Sequence, residues 1–386
     1  MDELANPFRP GAGTRPPALL GRDELIDRFG VTVRRAMAGR PGQSLMPVGL
    51  RGVGKTVLLN RFAEIAEQEG MRVGFMESPG PAGFRGLLVH QLRKVLLGLD
   101  ASRPSAKVLR ALRVLKTFSL QTADGSRFTI DVEGLAGEAD SGDLGEDVTD
   151  LFLAVGEAGR ERGRGVLLAV DELQCLDEPE LSALITAVHR TTQRDLPLVL
   201  VGAGLPALPS LAGEAKSYAE RLFEFPLIGS LEPDDAAAAI AVPCRAGGVD
   251  ITPEAVTAIV GHSGAYPYFL QEWGYHVWNA TEVPPIERAD VERATPRVLA
   301  HLDANFFRVR VERLTPSERA YLQAMAALGP GPHRSADIAA ELGVRVGSVA
   351  PRRNVLISKG LLLSPSRGET AFTVPLFDEF LRRAAP

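Results

Sequence analysis

The segment Gly49-Leu50-Arg51-Gly52-Val53-Gly54-Lys55-Thr56 combines three glycines, a lysine and a hydroxyl within eight positions. Glycines let a backbone turn its N–H groups onto an anion, a lysine adds a compact positive charge, and a threonine hydroxyl can ligate a cation. The spacing fits GxxxxGK[ST], which suits a triphosphate carried with magnesium. Gly49, Arg51, Gly52, Val53, Gly54, Lys55, Thr56 and Val57 are the candidate nucleotide contacts, with Lys55 reaching the β- and γ-phosphates. A second pair, Asp171-Glu172, closes the apolar run Val166–Val170. Asp171 is expected to share magnesium with Thr56, and Glu172 to orient and polarise an attacking water. An adjacent second carboxylate favours hydrolysis over a kinase-type transfer. The expected cofactors are ATP or ADP with magnesium.

These residues need strands and helices to hold them. Leu45–Leu50 reads as a short apolar strand feeding the glycine loop, and Val57–Gln68 as the helix that follows. Val73–Met76, Val166–Val170 and Leu198–Val201 read as further strands, and Leu87–Leu97, Val148–Arg160 and Leu181–Arg190 as helices between them. Such alternation specifies a parallel sheet covered on both faces. Residues 99–148 break the rhythm. There Ala123-Asp124-Gly125 predicts a hairpin between Ser119–Gln121 and Arg127–Asp131, and Gly134–Asp147 reads as a mobile acidic loop.

Beyond Pro233 the strand signals stop, and Asp234–Val242, Pro253–Gly261 and Tyr268–Ala280 read as a small helical domain with Phe269, Trp273, Tyr275 and Trp278 in its core. His189, His262 and His276 read as structural. At Thr315-Pro316 a helix cap opens a third unit. Ser335–Gly360 is patterned as helix, turn at Gly343 and helix, with Ser348 as its cap and Pro351 in its first turn. Leu361–Leu363 and Ala371–Val374 then make a two-stranded wing.

The 386 residues, 45% hydrophobic and 24% charged, allow two or three domains with a sizeable core. No apolar run reaches the roughly 18 to 20 residues of a membrane span. The acidic start lacks a signal-peptide pattern, and Cys175 and Cys244 form no paired motif, so a cytoplasmic protein without membrane contact is expected. Net charge is −5, yet from His333 onward eight basic residues face five acidic ones. A basic C-terminal module on an acidic body suggests DNA, with Arg345, Arg352, Arg353, Lys359 and Arg367 as candidate contacts. The competing reading is a protein-binding or autoinhibitory cap.

Together these features resemble the AAA+ and STAND branch of P-loop ATPases, in particular initiator-type and archaeal-type members with a C-terminal winged helix. Leu19-Leu20-Gly21-Arg22-Asp23-Glu24 resembles the family's segment before the loop, which implies that Gly21 and Arg22 lie near the adenine. Ser263–Tyr268 is similar to the lid element whose proline, here Pro267, packs on the base. Ala265 stands where glycine is usual. Arg221 occupies the place of an arginine finger, reaching a neighbouring subunit's phosphate; the alternative is a helix-surface arginine paired with Glu220, Glu224 or water. Two departures are evident. Gly202-Ala203-Gly204 replaces the polar sensor after the fourth strand, and the lid motif carries no second sensor arginine. Both imply slow or partner-triggered turnover.

The implied fold is α/β: a parallel-sheet P-loop NTPase core at residues 21–232 with an insertion at 99–148, preceded by an N-terminal arm (1–20). A small helical lid (233–313) and a C-terminal winged helix-turn-helix domain (314–386) follow. The implied function is a slow regulatory ATPase whose nucleotide state governs the C-terminal module on DNA or a protein partner, with homo-oligomers plausible for the family. The alternative is a nucleotide-stabilised scaffold without turnover. A GTPase is disfavoured because no NKxD motif follows the fourth strand. A small-molecule kinase is disfavoured by the Asp-Glu pair.

Overall fold

Proline removes a backbone donor from a strand interior, and Pro47 divides the expected strand into β1 (Ser44–Leu45) and β2 (Val48–Gly49). This is seen in a computed structural model that describes residues 1–78, 83–99, 104–120, 132–366 and 368–384. The chain divides into two compact units. One comprises Arg22–Gly49 and Lys55–Ile228, the other Met1–Gly21, Leu50–Gly54 and Gly229–Pro386.

In the first unit, β3 (Arg72–Glu77), β4 (Val166–Asp171) and β5 (Leu198–Gly202) form a parallel sheet with β4 in the middle. All six residues of β4 are buried, as a strand covered on both faces requires. Beyond β5, Gly204 accepts from Gly49 N at 3.1 Å and donates to Pro47 at 3.2 Å, which continues the sheet into the β1–β2 line. Two short strands absent from the sequence reading, β6 (Phe223–Glu224) and β7 (Leu227–Ile228), pair in parallel with β1 and β2. The order is therefore β3-β4-β5-β1/β2-β6/β7, a mixed α/β unit built on parallel strands.

Alternate strand residues serve opposite faces. Val166, Leu168 and Val170 join one large core with α3 (Phe84–Leu99), α4 (Ala106–Ser119), α5 (Leu144–Glu161) and α6 (Glu178–Gln193). Leu167 and Ala169 are equally buried but lie outside that core, on the side of α1 (Asp23–Met37) and α2 (Lys55–Gln68), whose Phe29 and Phe62 stack at 4.2 Å. The short helices α7 (Leu208–Ala215) and α8 (Ala219–Leu222) lead to β6.

The expected irregular insertion is corrected in two places. First, α4 is a regular helix whose N-cap Ser105 accepts from Val108 N, and Val108, Leu112, Leu115 and Phe118 are buried along it. Ser119 ends this helix; the rest of the expected hairpin, residues 121–131, lies outside the described residues. Second, the acidic stretch is pinned rather than loose. Leu135 N donates to Thr117 Oγ1 at 2.8 Å, Glu138 pairs with Arg110, and buried Asp147 accepts from Ser141 N and Oγ at 2.9 Å each. Asp143 caps α5, which starts four residues before the expected Val148.

In the second unit, α9 (Pro233–Ala246), α10 (Pro253–Ser263), α11 (Pro267–Ala280) and α12 (Arg288–Leu302) form a helical bundle. The sequence reading lacked α12. Phe269, Trp273 and Trp278 are buried as expected. The N-terminal segment lies along α11: Met1 N donates to Thr281 O at 2.5 Å, and Phe8 packs against Gly274. A π-helical turn (Asp303–Phe307) leads from α12 into α13 (Arg308–Glu312).

The C-terminal part begins with α14 (Pro316–Ala327), where Thr315 and Glu318 form a reciprocal capping box, as the Thr315-Pro316 signal predicts. It continues as β8 (His333–Arg334), α15 (Ser335–Glu341), α16 (Ala350–Ser358), β9 (Leu362–Leu363), β10 (Glu369–Phe372) and α17 (Phe377–Arg383). The small antiparallel sheet has three strands, β8-β10-β9, rather than the expected two. Gly343 turns the chain at φ +64°. Ser348 does not cap α16; its hydroxyl donates to Arg345 O at 2.7 Å, and the helix follows Val349.

Candidate functional site

Strand β2 ends at Gly49 and α2 begins at Lys55, so the five residues between them form the loop. Gly52 and Gly54 have φ of +94° and +93°, which side-chain-bearing residues rarely adopt. Val53 and Lys55 are buried, and Lys55 Nζ donates to Gly49 O at 3.0 Å across the turn. At the second residue of α2, Thr56 Oγ1 donates to Asp171 Oδ2 at 2.5 Å. Val57 is half-buried behind them.

Asp171 is 4% exposed at the end of β4. Burial holds its carboxyl above the usual carboxylate range, although hydrogen bonds from Thr56 and Glu172 N favour the anion. The two expected magnesium groups are thus already joined, one a hydroxyl and the other a desolvated carboxylate that a cation would stabilise. The loop and this pair fit a magnesium–triphosphate group. The ionised form of Asp171 is the less favourable one within the fold. Its penalty is absent below the unfolded value of about 3.9 and complete once pH passes the raised folded value. Asp171→Asn without nucleotide is therefore expected to melt higher than the parent at neutral pH, the gap closing as pH falls into the carboxylate range. Melting curves across that range check this, and a variant less stable at pH 7 contradicts it.

Glu172 follows in left-handed backbone, φ +52° and ψ +42°, an uncommon state for a non-glycine residue. Its carboxylate accepts from Gln174 Nε2, while Gln174 Oε1 accepts from Leu205 N at 2.9 Å. A Cβ on Gly204 would lie 2.7 Å from Gln174 Oε1, so the small residues in the sensor position make room for this glutamine. The sequence reading missed Gln174. Its signal is the spacing two residues after the Asp-Glu pair.

The other expected site residues are spread over both units. In the first, Arg22 precedes α1 half-buried, and Arg221 is exposed on α8. Glu224, its alternative partner, pairs with Arg28 instead. In the second, Gly21 has φ +68° beside Asp235, and Pro267 is the first residue of α11 after Ala265, itself left-handed at φ +54°. Arg51 is exposed, but its carbonyl accepts from the Tyr266 hydroxyl, and Gly52 O accepts from Tyr268 N at 3.1 Å. Arg310 of α13 was also missed. It stacks on Phe306 at 3.6 Å, and burial together with the like charge of Arg51 pushes its guanidinium down to about 10. No sequence spacing links it to the loop.

Residues 18–201 match the family model described as the AAA ATPase domain. That match spans just under half of the chain. Residues 304–381 match a family described only as a domain of unknown function. A comparison with curated proteins found no match. Among solved structures, a Walker-type ATPase of Pyrococcus abyssi is similar at 16% identity and a TM-score of 0.63, covering 97% of this chain and 99% of that one. RuvB, the Holliday junction branch migration motor of Thermotoga maritima, aligns at 15% identity and a TM-score of 0.47, covering 96% and 99%. Gly49–Thr56 and Asp171-Glu172 both fall inside the residues that match the AAA ATPase domain model.

The candidate DNA contacts fare unequally. Arg345 is exposed and Arg352 half-buried. Arg353 is half-buried, its Nη1 3.5 Å from Ser335 Oγ. Lys359 does not present a free ammonium: it donates to both Glu318 oxygens at 2.7 and 2.9 Å, holding that carboxyl below its ordinary range. Arg367 lies outside the described residues. No helix among the described residues is long and apolar enough to cross a membrane.

Proposed function

We propose that this chain is an ATP-binding, slowly hydrolysing regulatory ATPase whose nucleotide state controls its C-terminal helix–sheet module. The bond between Thr56 Oγ1 and Asp171 Oδ2 carries this reading, because it unites groups from two motifs 115 residues apart. Thr56 and Asp171 would hold magnesium, and Lys55 with the loop that leads into it would hold the phosphates. Bound magnesium would neutralise charge on the phosphates as the terminal bond breaks. Glu172, anchored through Gln174, would orient the attacking water. Arg51 and Arg310 repel one another, a cost that a phosphate beside them would relieve, so Arg310 is the proposed second sensor. Arg221 is exposed and is the proposed finger toward another copy of the chain.

Coupling to the C-terminal module has a contiguous physical route in the second unit. Tyr268, bonded to the loop at Gly52, stacks on Phe306 at 5.1 Å, and Phe306 meets Phe307 at 5.1 Å. Phe307 in turn stacks on Phe377 and Phe380 of α17 at 5.5 and 5.2 Å. A shift of the loop would travel along packed rings rather than through solvent.

The module itself is proposed to be of winged helix-turn-helix type, with Arg345 and Arg352 as its DNA contacts. One observation favours a protein partner instead. Val344, Val346 and Val355 are 37%, 51% and 42% exposed on the same turn and helix, an apolar presence that phosphate backbone would not reward. Phosphate release with and without duplex DNA, together with DNA affinity in ATP and ADP, tests the scheme. Turnover and nucleotide-dependent DNA affinity are expected. Nucleotide dependence without any DNA affinity moves the reading to the protein partner, and absence of ATP binding overturns it.

A further inference from the structure

The helix α11 carries a glutamate and a histidine four residues apart, Glu272 and His276, which places both on one face. The neighbouring helix α12 brings His301 against them. Glu272 Oε2 stands 3.6 Å from His276 Nε2, and Glu272 Oε1 stands 3.7 Å from His301 Nε2. One ligand atom from each residue lies within 4.8 Å of the others. These separations are too long for hydrogen bonds. They are close to the roughly 3.4 Å between neighbouring ligands of a tetrahedral ion with bonds near 2.0 to 2.1 Å.

Two further observations point to a missing ligand. Glu272 is 1% exposed and His276 8% exposed, yet Glu272 Oε2 and His276 Nε2 have no hydrogen-bond partner. A desolvated carboxylate oxygen and a desolvated imidazole nitrogen, each unsatisfied and facing the other, are costly unless something sits between them. His301 has the neutral amide of Asn305 against its Nδ1 at 3.3 Å, so its Nε2 is the nitrogen turned to the carboxylate. Its side chain is 43% exposed, which gives an ion or a water a way in.

We propose that Glu272, His276 and His301 form a binding site for a divalent transition metal of the zinc class, which ties α11 to α12. Two imidazoles and one carboxylate suit zinc or cobalt and are a poor set for magnesium or calcium, which prefer oxygen ligands. Three protein ligands leave a fourth position for water on the His301 side. The inference does not depend on the nucleotide site.

The test uses the full chain, stripped with a chelator and free of nucleotide. Cobalt is titrated by its visible absorption, displaced with zinc, and compared in the parent, His301→Ala and Glu272→Gln. His301 is partly exposed, so its variant is expected to fold, and melting in chelator together with unchanged ATP binding verifies that. One equivalent of cobalt in the parent, and at least about tenfold weaker binding in both variants, is expected, since even outer-shell substitutions reach that size. Zinc, but not magnesium, should raise the parent's melting temperature and leave that of His301→Ala unmoved. No saturable binding, or equal binding by parent and His301→Ala, overturns the site.

Discussion

Glu172→Gln is expected to bind ATP with unchanged affinity and to release phosphate at least ~100-fold more slowly than the parent, the loss typical of a removed general base. The substitution keeps shape and removes the carboxylate. It leaves the Thr56–Asp171 bond and the Lys55–Gly49 bond untouched, since neither uses the Glu172 side chain. The fall should therefore appear in kcat, with ATP affinity measured separately by titration. Gln174→Ala offers an internal comparison. It retains the carboxylate but frees it from its link to Leu205 N, so a smaller loss, about tenfold, is expected from misorientation alone. Equal turnover in Glu172→Gln and parent would leave the chain a nucleotide-stabilised scaffold.

How far the sequence disclosed this site depends on how local each signal is. The phosphate loop and the strand Val166–Val170 lie within single short segments, and the structure joins them through one hydrogen bond. The Thr315–Glu318 cap was legible for the same reason. Helix α4 was not: its apolar positions are interleaved with Lys107, Arg110, Arg113 and Lys116, and only its last residue, Ser119, fell within the expected hairpin. Strands β6 and β7 have two residues each, too few for any periodicity to register. Arg310 and Gln174 depend on contacts set by tertiary packing, and Lys359 looked like a nucleic-acid contact until Glu318 was placed beside it. The Glu272–His276 spacing was visible in principle, but its third member sits on a helix that the sequence reading lacked.

The second large effect concerns Lys55. Lys55→Ala is expected to weaken ATP binding by at least about 100-fold, because it removes a desolvated, hydrogen-bonded charge from the phosphate position. The ammonium is 5% exposed and rests on Gly49 O, so the fold itself bears the cost of keeping a charge out of water. Removing it should leave the nucleotide-free protein at least as stable as the parent. Its field also favours the ionised form of Asp171, and without it that carboxyl rises further, weakening magnesium as well as phosphate. The two consequences separate in one experiment. Parent protein at 100 times its dissociation constant should gain about 2.7 kcal/mol from ATP and magnesium, while the variant's melting temperature should not move at the same concentration. A variant that melts lower without nucleotide would mean that Lys55 is structural. One that keeps the ATP-dependent shift would place the phosphates elsewhere.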